Sequence, residues 1–209
     1  MKKDDVKTGD TFLVKSNKFL SRTICKVMKH WGKMKGYDTS IIYSHAARFI
    51  WIDDVLYLFG SVINGYNPIE FDDNYDWNTS DFAIMRHKPP ITFDEEKKTR
   101  KFCLHLDSVS ITYQYWNFVQ WLTLVYLKIN LFTKDSEKFC YCYESERMAR
   151  KDLYPQNYGD VNRTDIFDLL FDKDYELIYR SNPSTSLILK SKGSLTPQQK
   201  SKTKKRLAP

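Results

Sequence analysis

Two runs, IIYSHAARFIWI (41–52) and VLYLFGSVI (55–63), constrain the fold of this chain more than anything else in it. Both are dense in β-branched and aromatic residues, and only Asp53–Asp54 separates them. Two residues can reverse a chain between neighbouring strands but cannot carry it across a sheet, so the pair reads as an antiparallel hairpin. Shorter runs of the same kind supply further strands. TFLVK (Thr11–Lys15) follows a Gly–Asp turn, FAIMRHK is stopped by Pro89–Pro90, and YELIYR ends at Arg180. GYNPIEFDDNYDWNTSD reads as a loop with room for one short strand.

Elsewhere the apolar period lengthens to that of a helix. SNKFLSRTICKVMKHWG predicts a helix with Ser16 as N-cap, an apolar face of Phe19, Ile24, Val27 and Trp31, and a stop at Gly32. TFDEEKKTRKFCLHL predicts another, opened by a capping box of Thr92 and Glu95. Helices are also expected over Tyr113–Ile129, after the Cys140/Cys142 pair, and at NRTDIFDLLF. Strands and helices are partly segregated, which defines an α+β domain with an antiparallel sheet packed on a helical lobe. Its expected span is 9–180, between a short leader (1–8) and a Ser/Lys/Pro-rich tail (181–209), disordered unless bound.

The net charge of +7 comes from that tail. Lys190, Lys192, Lys200, Lys202, Lys204, Lys205 and Arg206 account for it, and without them basic and acidic residues balance. A nucleic-acid-binding domain would carry its charge on its own surface. The tail is instead expected to meet an acidic partner, such as nucleic acid or a larger assembly. Residues 108–127 carry no charge and are long enough to span a bilayer, but Gln114, Asn117, Gln120 and Thr123 repeat every third residue. That polar stripe predicts an amphipathic helix packed on the domain, with no membrane span. MKKDDVKTGD has no apolar core of a signal peptide. Four cysteines without CxxC or zinc spacing read as thiols in a reducing compartment, with no metal and no cofactor.

KFCYCYESERMARKDLY (138–154) is the stretch where chemistry is expected. Cys142 falls where an aromatic extended segment turns helical, and a helix N-terminus favours a thiolate and can line an oxyanion site. Cys140 lies one strand step earlier; if it faces the histidine strand instead, the nucleophile moves two positions. The base would be His45, set among the small residues Ser44, Ala46 and Ala47. His30 and His87, each beside a lysine, read as surface residues, and His105 as structural. Cys25 and Cys103 read as core cysteines on helices.

The order GDTFLVKSNKFLSRTICKVM, YSHAARFI, LFGSVINGY, TYQYWNF, YCYESERMA resembles the circularly permuted NlpC-type papain-like hydrolases, including YiiX-like amidases related to lecithin retinol acyltransferase. The resemblance implies a permuted papain-like domain in which His45 is the general base, Cys142 the nucleophile and Glu144 the acidic residue two positions on. Tyr143 stands where that family usually has a small serine. The place of a third, orienting carboxylate is taken by Gly60, beside Ser61; Asp53, Asp54, Asn64 or a water would have to substitute. Tyr43, Tyr141, Tyr143 and Trp116 would surround the site. Two functions follow. One is a thiol hydrolase or acyltransferase acting on cell-wall-type peptide amides or lipid acyl esters. The other is a catalytically impaired member serving as a binding or structural component. The Lys-, Asn-, Tyr- and Phe-rich composition with 7 Gly fits a phage or a low-GC bacterium. The expected location is the cytoplasm, or the virion if the chain is phage-encoded.

Overall fold

The computed structural model describes residues 1–16, 18–62, 65–77, 80–109, 112–113, 115–129, 131, 139–140, 142–155 and 164–181. Tyr141 and the tail beyond Ser181 lie outside them.

The hairpin is there, formed by β2 (His45–Ile52) and β3 (Val55–Val62). Asp53 and Asp54 both take positive φ, at 47° and 62°, as a tight turn matched to strand twist requires. β1 (Thr11–Lys15), β4 (Gly65–Glu70), β5 (Asp81–His87) and β8 (Tyr175–Arg180) complete a six-stranded sheet in the order β4-β3-β2-β1-β5-β8. Every neighbouring pair in it is antiparallel. The fold is therefore α+β. GYNPIE, expected within a loop, is the whole of β4, and the short α2 (Phe71–Asn74) follows it directly.

α1 (Phe19–Lys35) runs longer than its pattern predicts. Its N-cap is Lys18; Ser16 instead accepts a hydrogen bond from the Ser21 hydroxyl through its carbonyl. Gly32 lies inside the helix, where a Cβ would sit 2.3 Å from Phe167, so it is a close-packing residue. The true stop is Gly36, at φ 69° in the left-handed cap position. α3 (Phe93–Ser108) opens on the Thr92/Glu95 capping box, as its sequence predicts. The helix expected over Tyr113–Ile129 is divided. β6 (Thr112–Tyr113) precedes α4 (Tyr115–Leu122), which widens into a π turn over Thr123–Leu127. β6 pairs in parallel with β7 (Phe139–Cys140), and α5 (Cys142–Leu153) and α6 (Ile166–Leu170) follow. No helix among the described residues is long and apolar enough to cross a membrane.

Alternation gives the sheet two buried faces. Phe12, Val14, Ala47, Phe49 and Phe82 pack on one, with Phe71 of α2. Leu13, Ala46 and Ala83 pack on the other, against Val27 and Trp31 of α1, Trp121 of α4, Cys142 and Tyr143 of α5, and Phe167 of α6. The helical lobe thus covers the face on which the cysteine lies.

Candidate active site

Cys142 is the first residue of α5 and is 3% exposed. Pairing between β2 and β3 runs only from Ile52–Val55 to Arg48–Phe59, which leaves the start of β2 without a partner on that side. The Cys142 thiol approaches the Ser44 carbonyl at 3.9 Å, and the N–H groups of Ala46, Tyr143 and Cys142 itself point toward it. Burial pushes the thiol up to about 11, against those three N–H groups, which favour the thiolate.

His45 starts β2 and pairs with Val14. By alternation His45 and Ala47 project to the face of Val14 and Phe49, and Ala46 to the face on which Cys142 packs. Burial pushes the His45 imidazole down to about 4, although part of the residue remains open to solvent. The structure therefore does not bring the two side chains together: Cys142 packs with Ala46 on the face under the helices, His45 projects to the opposite face, and no hydrogen bond joins them. Among the described residues no hydrogen bond reaches the His45 ring.

The supporting residues separate. Tyr143 is buried and its hydroxyl donates to the Tyr43 carbonyl at 2.6 Å, tying α5 to the approach to β2. Tyr43 is itself buried, its phenol pushed up to about 12 by burial. Ser61 is fully buried in β3. A Cβ on Gly60 would lie 2.9 Å from that of Ala47 and 3.1 Å from the Ala46 carbonyl oxygen, so this position is occupied by close strand approach. Trp116 is 56% exposed on α4. His87 is buried rather than a surface residue, stacked on Tyr154 at 4.5 Å. His105 is exposed, and His30 stacks on Tyr126.

Glu144 is buried, but Glu146 is the acid with the central position. Its carboxylate accepts from Arg48 Nη2 at 2.5 Å and Nε at 3.2 Å, from Arg150 Nε at 3.3 Å and from the Thr11 hydroxyl at 2.5 Å. Arg150 also reaches Asp172 at 2.7 Å and lies over the Tyr175 ring at 3.7 Å. Burial opposes the charge on Arg48, but Glu146 outweighs it and holds the guanidinium pKa well above its ordinary value. The sequence signal was present in Arg48, a charge in the middle of an apolar strand, which needs a buried counterion.

Cys25, Cys103 and Cys142 are free thiols. No cluster of His, Cys, Asp or Glu among the described residues could hold a metal ion.

No family model matches the chain, and no curated protein matches it. Among solved structures, metalloprotein YiiX from Escherichia coli O157:H7 (DUF1105) aligns at a TM-score of 0.49 and 14% identity, over 74% of this chain and 69% of that one.

Proposed function

We propose that the domain is a thiol hydrolase or acyltransferase of permuted papain-like architecture, with Cys142 as nucleophile and His45 as base. The observation that carries this reading is the seat of Cys142. It opens a helix, and the main-chain N–H groups of Ala46, Tyr143 and Cys142 near its sulfur favour the thiolate. Donors so placed stabilise negative charge as it develops on sulfur or on an acyl oxygen. The resting pair is a protonated thiol and a neutral imidazole. The thiol would pass its proton to His45 as sulfur bonds to the carbonyl carbon. His45 would return it to the leaving amine or alcohol, and water would then release the acyl group. Peptide amides or lipid acyl esters are the substrate classes. The free thiols suit a reducing compartment, and the basic tail suits an acidic partner.

A second reading, a silent member that binds or scaffolds, draws on three observations. By alternation His45 projects to the face of the sheet opposite Cys142. No described residue orients the His45 ring, and Gly60 leaves no room for the orienting carboxylate. Incubating the full chain with p-nitrophenyl acyl esters separates the readings. The first expects a burst of nitrophenol, an acyl adduct mapped to Cys142, and a loss of about 100-fold or more in His45→Gln. Absence of a Cys142 adduct, or equal adducts on Cys25, would leave the silent reading.

A further inference from the structure

We infer that the outer face formed by α1 and α4 docks on an anionic lipid bilayer. Arg22, Lys26, Lys29 and Lys33 are all exposed on α1, which contains no Asp or Glu between residues 19 and 35. Among the described residues none of them joins an ion pair.

Beside this basic stripe runs an apolar one. Trp116, Val119, Tyr126 and Leu127 are 56%, 37%, 53% and 64% exposed, and Ile129 follows at 50%. Their spacing keeps them on one side of α4 and its π turn, where no charged residue occurs before Lys128. The two stripes are physically joined. His30 of α1 stacks on Tyr126 at 5.2 Å, and Lys128 Nζ reaches the Met34 sulfur at 3.0 Å.

Charge complementarity selects the occupant. Unpaired cations ask for an anionic surface, and Trp and Tyr beside Leu and Ile ask for one with an apolar layer just beneath it. A nucleic acid would satisfy the first demand and leave Leu127 and Ile129 in water. With no spanning helix among the described residues, the chain would lie on the bilayer through this face. The inference holds whether or not Cys142 is catalytic.

The test uses the full chain and phosphatidylcholine vesicles with and without phosphatidylserine. Binding is expected only with phosphatidylserine, with Trp116 emission quenched by bromine-labelled acyl chains. Trp116→Phe should remove that quenching while leaving sedimentation with vesicles intact. Lys26→Glu/Lys29→Glu/Lys33→Glu should lower partitioning by about a hundredfold or more at an unchanged melting temperature, at about fivefold per lysine. The basic tail is present in every variant. Binding indifferent to the α1 reversals would therefore assign adsorption to the tail and overturn the inference. So would failure to bind vesicles, with or without capture of a DNA oligonucleotide by the same face.

Discussion

Glu146→Gln probes how the helix that carries Cys142 is held in place. The substitution keeps the side-chain shape and removes one negative charge from between two guanidinium groups. Arg48 and Glu146 are each 1% exposed at the side chain, so Arg48 would lose its counterion with no water to replace it. Arg150 would keep Asp172 at 2.7 Å. Removing one partner of a buried pair costs about 3–5 kcal/mol. In a chain of this size each kcal/mol lowers Tm by about 2–4 °C, so a fall of roughly 6–20 °C is expected. Circular dichroism melts at neutral pH provide the measurement. Arg48→Met/Glu146→Leu should recover much of the loss, because apolar groups of similar volume often replace a buried ion pair at little cost. A fall below about 2 °C in the single variant, against an expected cost of that order per kcal/mol, would refute the argument. So would a double variant no more stable than the single one.

His45 predicts a pH dependence. Its imidazole takes a proton near 6.5 when unfolded and at about 4 when folded, so the unfolded chain holds more protons between those values. Stability should therefore rise with pH across that window, be fully present above it, and be lost as pH falls toward 4. The amplitude is at most about 3 kcal/mol, reduced by the residue's contact with solvent, and His45→Gln should flatten the difference in denaturant midpoint between the two ends. At pH 8 the Cys142 thiol, at about 11, should react with iodoacetamide at least ~10-fold more slowly in the native chain than in urea; equal rates would contradict its burial. Gly60→Ala should cost about 1–3 kcal/mol in chemical denaturation, since its Cβ would press on Ala47 and the Ala46 carbonyl; an unchanged midpoint would mean the strands can separate there freely.

The hairpin was readable because its signal is local: two apolar runs and a two-residue turn fix pairing and register together. The same holds for the Thr92/Glu95 box and for Cys142 at a helix start, where the aromatic run gives way to charged helical residues. Gly32 misled because glycine at a helix end and glycine under a neighbouring ring look alike in one dimension; the neighbour, Phe167, is remote in sequence. The partner of Arg48 was hidden for the same reason. Two glutamates in α5, Glu144 and Glu146, offer the same chemistry, and only the rotation of the helix on the sheet selects between them. The π turn at Thr123–Leu127 leaves no compositional mark, because widening a turn changes backbone bonds and not residue type.

The ionic cluster beneath α5 also sets an order of assembly. β1 to β5 are complete by His87 and lie side by side in the sheet, so they can pair while the rest of the chain is still being synthesised. Arg48 must then wait, hydrated, for Glu146, and Arg150 for Asp172 and Tyr175, which sit in the last stretch of the domain and its final edge strand. Until that stretch emerges, a charge in the centre of the sheet resists premature burial of the face on which the helices will lie. The helix bearing Cys142 is thus among the last elements to be locked, and a nascent chain cut short before Glu146 would carry five paired strands with Arg48 still in water.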